Sequence, residues 1–241
     1  MSSRSGDPAI LAVESSADQA SAALWCADGR HFQQVHAARH GHAAMITELA
    51  RDVLNRAGVA AAALTHIAAG RGPGSFTGIR VALAAAKGFA LASGATGIGV
   101  SCLAAKVYEA RRVAPDLGSR PLVATADTRR GSYFCQMHDP ADGTDSPIRD
   151  ILPETGQDLP DEWRRAAIIG PGAAVLAAAF PDHAMVPVAE TSPVDALQIA
   201  RLAAYRLKAG HPAETLTPRY VAPAFLGPAP AGRNASRSGG P

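Results

Sequence analysis

The chain has 241 residues, of which 47% are hydrophobic, and its net charge is +2. This is enough for a sizeable core in one large domain or two small lobes, and the charge is too small to identify a nucleic-acid-binding protein. The three cysteines, Cys26, Cys102 and Cys135, are far apart, so neither a disulfide framework nor a zinc or redox motif is predicted and we expect reduced thiols.

The first half of the chain predicts three antiparallel strands followed by alternating helices and strands. Short apolar runs between turn residues predict the strands, and apolar spacing of three and four residues predicts the helices. The predicted strands are 9–13, 20–25, 31–37, 66–69 and 98–100, and the predicted helices are 41–56, 79–92 and 103–113. This order matches a ribonuclease-H-like lobe.

A second set of elements begins after Pro121. It comprises a strand at 122–126, a hairpin arm at 131–137, and, after a polar stretch with a weaker pattern, a strand at 167–170, a helix up to 180, a short strand at 185–188 and a helix at 193–208. The predicted organisation is an N-terminal segment 1–8 without order, a first lobe at 9–113, a smaller second lobe at 114–226, and a tail at 227–241. The tail is rich in Gly, Pro and Ala, and we expect it to be disordered.

The most informative segment is a glycine-rich loop with the sequence GRGPGSFTGIR at 70–80. Glycines let backbone amides line a concavity, and the following helix adds the positive end of its dipole, so the loop suits an anion or a closely packed backbone. A Walker A loop is excluded because no Gly-Lys-Ser/Thr closes it, and Thr77 replaces the third glycine of a dinucleotide fingerprint. A tight strand-to-helix turn without a ligand is the alternative.

Candidate catalytic residues do not combine into a recognisable site. His36 and His40 have the spacing of metal ligands, but they straddle a strand end, where residues i and i+4 do not share a face. Ser75 lacks a G-x-S-x-G elbow, and its hydroxyl, like that of Thr77, is predicted to cap the following helix. Asp127 and the arginines that follow it fit either a phosphate-facing turn or a surface ion-pair cluster.

Residues 71–80, RGPGSFTGIR, resemble the signature of the bacterial TsaB (YeaZ) family, which takes part in making threonylcarbamoyladenosine in tRNA. Four further segments are similar to that family: ILAVESS at 10–16, IGVS at 98–101, DTRRGSY at 127–133 and PRY at 218–220. His42 begins a helix where the family commonly has His, whereas Glu14 replaces the usual Asp. The resemblance implies an α/β fold with two ribonuclease-H-like lobes of the actin/Hsp70/sugar-kinase superfamily, the second lobe reduced.

The resemblance also implies a function without catalysis. Members of the family bind and activate the TsaD transferase, form a scaffold that recruits the TsaE ATPase, and meet tRNA only through the complex, which implies a cytoplasmic protein away from membranes. Their first-lobe helices pack against those of TsaD as a four-helix bundle. The implied partner interface comprises His42, Met45, Ile46, Leu49, Arg80, Leu83, Ala86 and Lys87. No cofactor of its own is implied, while the resemblance allows for ATP or ADP at the interface with the partner and for a homodimer when the chain is alone.

An active ATPase or phosphotransferase of the same fold is the alternative function. It would need a nucleotide site, with an adenosine-binding turn at 170–172. The candidate cofactor-binding residues are Glu14, Gly72, Gly74, Ser75, Thr77 and Asp127, and the glycine-rich motif loop consists of Arg71, Gly72, Pro73, Gly74, Ser75, Phe76, Thr77 and Gly78. In kinases of this superfamily an Asp after the first strand organises the metal, and the added methylene of Glu14 would displace such a ligand. A metallopeptidase is a third interpretation.

Overall fold

A computed structural model describes residues 9–37, 42–139, 145–155, 158–188 and 192–221, without the side chains of residues 42–44. The first lobe contains one five-stranded sheet in the order β3-β2-β1-β4-β5. Its strands are β1 (Ala9–Ala17), β2 (Gln19–Cys26), β3 (His31–Ala37), β4 (His66–Gly70) and β5 (Thr96–Val100). Strands β1, β2 and β3 pair antiparallel, while β1, β4 and β5 pair parallel, as a ribonuclease-H-like lobe requires.

The second lobe repeats this topology with shorter strands. Its sheet has the order β10-β9-β6-β7-β8, in which β6 takes the place of β1 and the pairing directions are the same. The strands are β6 (Leu122–Asp127), β7 (Tyr133–His138), β8 (Arg149–Ile151), β9 (Ala167–Ile169) and β10 (Val186–Pro187). The last three have only three, three and two residues, so the second lobe is reduced as predicted. The sequence did not predict β8 (Arg149–Ile151), because two of its three residues are exposed charged residues and it shows no apolar run.

Five helices cover the two sheets: α1 (His42–Ala57), α2 (Phe76–Ser93), α3 (Cys102–Val113), α4 (Ala173–Ala179) and α5 (Ala196–Lys208). Helices α1 and α2 lie side by side on the outer face of the first sheet. Their apolar faces, including Ile46, Val53, Ile79 and Leu83, bury against strands β1, β2 and β4. The helical periodicity of the sequence arises from this packing.

Helices α3 and α5 exchange places between the lobes. Helix α3 follows the first sheet but packs against the second, with Leu103 and Val107 in its core, while α5 follows the second sheet and covers the inner face of the first, where Ile199 and Ala203 are buried. Helix α5 of the predicted second lobe (114–226) thus packs on the first sheet, and α3 of the predicted first lobe (9–113) packs on the second. Apolar spacing identifies the buried face of a helix but not the sheet that covers it.

The closing segment at 214–220 also returns to the first lobe. The Gly99 amide donates to the Glu214 carbonyl over 2.7 Å, Leu216 is buried in the outer core, and the Arg219 amide donates to the Arg71 carbonyl over 2.8 Å. A Cβ atom at Gly99 would lie 2.2 Å from the Thr215 carbonyl oxygen, so a glycine is required there. The predicted 1–8 segment and 227–241 tail lie outside the described residues.

Among the described helices, α2 alone has the length and apolar composition of a membrane span. The sequence predicts no such span, because Lys87 interrupts the apolar run. In the structure, one face of α2 covers the first sheet through Ala82 and Ala86, and Arg80 and Lys87 are exposed on the other face. A helix that covers a sheet meets the same criterion of length and composition, so α2 is weak evidence for a membrane span.

Candidate functional site

The motif loop, residues 71–78, closes against the end of β1. The Ser75 amide donates to the Ser16 carbonyl over 2.8 Å, and the Ser15 hydroxyl donates to the Gly78 carbonyl over 2.8 Å. A Cβ atom at Gly78 would lie 1.9 Å from the Ser15 carbonyl oxygen, and one at Gly74 would lie 2.7 Å from the Ser16 Cβ. The closely packed backbone that the glycines accommodate is thus the chain's own first strand.

Ser75 has the capping role that the sequence predicts. It is the N-cap of α2, and its hydroxyl oxygen accepts a hydrogen bond from the Gly78 amide over 3.2 Å. Thr77 was predicted to cap as well, but it lies inside the first turn of α2 and its side chain is exposed. The cap satisfies one of the free amides of the helix start, so it stabilises the junction between the motif loop and α2.

Glu14 lies beneath the motif loop and is completely buried. Its Oε1 accepts a hydrogen bond from the Ser16 amide over 2.5 Å, and the Cys102 thiol donates to Oε2 over 3.8 Å. Burial raises the pKa of the Glu14 carboxyl above its ordinary value, although hydrogen bonds from Ser16 oppose that shift. Burial also raises the pKa of the Cys102 thiol, and the charge of Glu14 adds to the effect. The prediction that Glu14 binds a cofactor is wrong, because its carboxyl group is enclosed by β4 and α3.

A cleft separates the two lobes and holds two adjoining cavities of about 450 and 310 Å³. The wall that they share consists of residues 73–75 with Asp127 and Arg129. Arg129 forms an ion pair with Asp18, which joins the hairpin turns of the two lobes across the cleft. The Asp127 carboxylate accepts a hydrogen bond from the Arg129 amide over 2.7 Å, and Arg130 pairs with Asp150. The ion-pair interpretation therefore holds for Arg129 and Arg130, while Asp127 supports the turn and lines both cavities.

The turn at 170–172, which the sequence suggests for adenosine binding, is filled by a side chain. A Cβ atom at Gly172 would lie 2.2 Å from the ring of Tyr133. The glycine therefore makes room for Tyr133 of β7, which lies one strand beyond β6 in the sheet. Three of the six candidate cofactor residues lie at the cleft: Gly74, Ser75 and Asp127. The other three do not: Glu14 lies in the core, Gly72 packs against Ile79, and Thr77 lies on the outer side of α2.

The outer helices form a second candidate site, a groove of about 430 Å³ between α1 and α2. Its lining is mostly apolar or small: Ile46, Thr47, Phe76, Thr77, Arg80, Val81, Ala84 and Ala85. Beside the groove, the exposed residues of α2 follow each other at steps of three and four, and Leu91 at the far end is 88% exposed. We call these residues the outer stripe: Thr77, Arg80, Ala84, Lys87 and Leu91. This spacing is that of a helix face that packs against another helix.

Comparisons with known proteins agree with this architecture. The family model for TsaD, tRNA N6-adenosine threonylcarbamoyltransferase, matches residues 35–155. The Escherichia coli K12 protein named tRNA threonylcarbamoyladenosine biosynthesis protein TsaB is 31% identical over 162 residues, which cover 64% of this chain and 68% of that protein. The chain belongs to the TsaB (YeaZ) family.

Two more relatives extend the match. The Haemophilus influenzae Rd protein of the same name is 30% identical over 130 residues, or 53% of each chain. The solved structure of YeaZ from Pseudomonas aeruginosa superposes with a TM-score of 0.69 at 26% identity, and it covers 89% of this chain and all of that one. The two-lobed architecture is therefore that of solved TsaB (YeaZ) structures.

The partner interface implied by the TsaB resemblance is only partly exposed. Four of the eight residues are at most 8% exposed and pack against the first sheet: Ile46, Leu49, Leu83 and Ala86. The apolar spacing that suggested a docking face therefore marks the face that covers the chain's own strands, and of these four residues Ile46 also lines the groove. Met45 is half-buried, and Arg80 and Lys87 are exposed. The side chain of His42 lies outside the described residues.

The sequence did not indicate Thr47, Ala84 and Leu91 as candidate contact residues, although they are exposed on the outer side of α1 and α2. A signal was present, since Ala84 and Leu91 stand on the face of α2 opposite to Ala82 and Ala86. It could not be read from hydrophobicity alone, because α2 is rich in alanine on both faces.

Arg80 is held in one conformation at the end of the groove. Its guanidinium carbon lies 3.8 Å from the centre of the Phe76 ring, and its Nε donates to the Tyr220 hydroxyl over 2.8 Å. The Phe76 and Tyr220 rings contact each other with their centres 5.2 Å apart. The closing segment thereby contributes a side chain to the outer surface of the first lobe, which the sequence did not indicate.

A metal centre has no support from the described residues. Nowhere in the described part of the chain do three His, Cys, Asp or Glu side chains converge at a common point. His36 lies on the exposed edge strand β3, and its suggested companion His40 falls outside the described residues.

Proposed function

We propose that this chain is a non-catalytic activating subunit of a tRNA threonylcarbamoyltransferase, and that it acts by binding a TsaD-like catalytic subunit through the outer side of α1 and α2. The observation that carries the proposal is the outer stripe beside an apolar groove. An 88% exposed Leu91 and a small Ala84 on one helix face favour contact with a second protein. The names of the related proteins supply the reaction.

The geometry of the outer stripe supports a helical partner in particular. Steps of three and four residues are the spacing at which two helices interlock at a shallow angle. Small side chains such as Ala84 let the backbones approach closely, and Leu91 supplies a large apolar side chain. Packing of two such helix pairs against each other would give the four-helix bundle that the resemblance implies.

Further parts of the proposal follow from the family resemblance. A TsaE-like ATPase joins the pair, ATP or ADP occupies the interface with the partner rather than a site of this chain alone, and tRNA binds through the complex. The net charge of +2 supports the last point, because the chain has no large excess of cations for the phosphates. We expect the complex to act in the cytoplasm, and we expect a homodimer to use the same outer stripe when the partner is absent.

The test is threonylcarbamoyl transfer to tRNA in a reconstituted mixture of TsaD-like and TsaE-like subunits, with this chain added or omitted. Stimulation by the chain, with no activity of the chain alone, is the expected result. Absence of stimulation would contradict the proposal. Ala84→Arg should abolish stimulation, and Val175→Arg should not, because the half-exposed Val175 lies on α4 of the second lobe.

An active ATPase or phosphotransferase has less support. Such an enzyme needs a carboxylate that reaches magnesium and phosphates in the cleft, and the Glu14 carboxyl group is buried beneath the motif loop. If Asp127 took that role, Asp127→Asn would abolish ATP turnover by the isolated chain. We expect no turnover above the background of a mock preparation.

A further inference from the structure

The Arg80 side chain is fixed before any partner binds. Its guanidinium lies against the Phe76 ring, 3.8 Å from the ring centre, and lies 5.7 Å from the centre of the Tyr220 ring. The hydrogen bond from Nε to the Tyr220 hydroxyl fixes the remaining rotation. An arginine that is held in this way loses little conformational entropy when its remaining N–H groups bind a ligand.

Those remaining N–H groups have no acceptor in the described part of the chain. Within it, Arg80 makes no ion pair, and the Tyr220 hydroxyl is its one hydrogen-bond partner. The sequence that follows Tyr220, residues 221–241, contains neither Asp nor Glu. A carboxylate on another molecule that covers this surface would pair the guanidinium.

The surroundings of Arg80 favour a protein carboxylate over an RNA phosphate. Apart from Arg80, the groove is lined mostly by apolar and small side chains, which complement an apolar helix face better than a sugar-phosphate backbone. Helix α1 carries the exposed acids Glu48 and Asp52 beside the exposed Arg51 and Arg56, so it adds no excess of positive charge for a nucleic acid. The charged members of the outer stripe, Arg80 and Lys87, are both cations, so a complementary helix would carry acids.

We propose that Arg80 binds the carboxylate of an Asp or Glu side chain on the partner helix that packs into the groove between α1 and α2, and that Tyr220 is the positioning residue for Arg80. The planar guanidinium offers two parallel N–H groups, which match the two oxygens of a carboxylate. This inference rests on the proposed function, because it names the chemistry that the partner presents at the same surface.

The experiment measures the affinity of the full chain for the TsaD-like subunit by calorimetry at 50 and 300 mM NaCl, for wild type and variants. Arg80→Met keeps the apolar stem and should weaken binding at low salt about tenfold or more, as at interface hot spots. Arg80→Lys keeps the charge but loses the fork and should weaken it about threefold to tenfold. Arg164→Met is the matched control, since Arg164 is an exposed arginine in the second lobe, and it should bind as wild type does.

Tyr220→Phe removes the acceptor for Arg80 Nε and keeps the ring. It should weaken binding about twofold to fivefold without a change in the melting temperature, because the hydroxyl lies at an exposed site. The salt dependence of the affinity distinguishes a charge contact from a packing contact, so Arg80→Met should show a shallower salt dependence than wild type. Adding Tyr220→Phe to Arg80→Met should not change that salt dependence further.

Several results would overturn the inference while leaving the proposed function intact. One such result is that Arg80→Met binds the partner with wild-type affinity, and another is that it binds more weakly with an unchanged salt dependence. A third is that Arg80→Met binds the partner normally but lowers the tRNA affinity of the assembled complex, which would indicate a phosphate ligand. If wild type itself fails to bind the partner, the proposed function fails and the inference with it. A charge exchange gives positive proof: Arg80→Glu should lose binding, and replacement of one acidic residue on the partner helix by Arg should restore it.

Discussion

Gly70 faces the carboxyl group of Glu14 so closely that a Cβ atom at Gly70 would lie 1.6 Å from Glu14 Oε2. The last residue of β4 thus leaves space for a longer acid on β1. This pairing explains how the chain accommodates Glu14 where its family usually has Asp.

The pairing predicts that Gly70→Ala destabilises the protein. The added methyl group must displace a buried carboxyl group, and overpacking of this kind costs about 1–3 kcal/mol of unfolding free energy. Urea denaturation followed by circular dichroism would measure the loss. Gly88→Ala is the matched control: Gly88 lies inside α2 with nothing within 4 Å of a Cβ atom, so this variant should gain about 0.5–1 kcal/mol. Equal stabilities of the two variants would contradict the explanation.

The buried carboxyl group of Glu14 predicts a pH dependence. Because burial raises its pKa in the folded state, the folded chain holds a proton that the unfolded chain releases near the ordinary value of 4.5. The contribution of the protonated Glu14 carboxyl group to the unfolding free energy is fully present below pH 4.5 and is lost as the pH rises through the folded-state pKa. Glu14→Gln keeps the shape and removes the titration, so its unfolding free energy should fall less than that of wild type between pH 4.5 and 8. Parallel profiles would show that Glu14 does not titrate in this window.

Two neighbouring alanines of α2 separate folding from partner binding. Ala86 is completely buried against the first sheet, so Ala86→Arg should cost about 3 kcal/mol or more or prevent folding. Ala84 is exposed, so Ala84→Arg should change stability by less than about 0.5 kcal/mol and still abolish binding of the TsaD-like subunit. Thermal melts and a pull-down with both variants test this. Partner binding by Ala84→Arg would exclude the outer stripe as the interface.

The N-cap of α2 predicts a small and specific effect. Ser75→Ala removes the acceptor for the Gly78 amide and should cost about 1 kcal/mol, whereas Ser75→Asp retains an acceptor and should cost less. Thr77→Ala, inside the same first turn, should change the unfolding free energy by less than about 0.5 kcal/mol. The three variants can be compared by chemical denaturation, and a larger loss for Thr77→Ala than for Ser75→Ala would contradict the assignment of the cap.

The sequence predicted the first lobe well because its strands and helices carry strong apolar periods. All eight elements of that lobe are present in the predicted order. Prediction was weaker where an apolar pattern shows that a face is buried but does not identify the element that packs against it. Ile199 and Ala203 clearly belong to a buried helix face, but only the structure shows that they cover the first sheet.

The candidate site was harder to predict for the same reason. The motif loop lies where the sequence places it, and Gly74 and Gly78 accommodate Ser15 and Ser16, which no local pattern could indicate because the end of β1 is distant in sequence. Leu83 and Ala84 are neighbours in an alanine-rich helix, and nothing in composition distinguishes the buried side from the exposed one. The Arg80 contact with Tyr220 joins residues 140 positions apart, and no local pattern reports it.

The exchange of α3 and α5 between the lobes also constrains how the chain is made. Most of the inner face of the first sheet stays uncovered until α5 has been synthesised, although all five strands of the sheet are complete at Val100. During translation, one face of this sheet therefore stays open while residues 101–195 are added. A chaperone that shields apolar β-sheet surface would act on the chain in that interval.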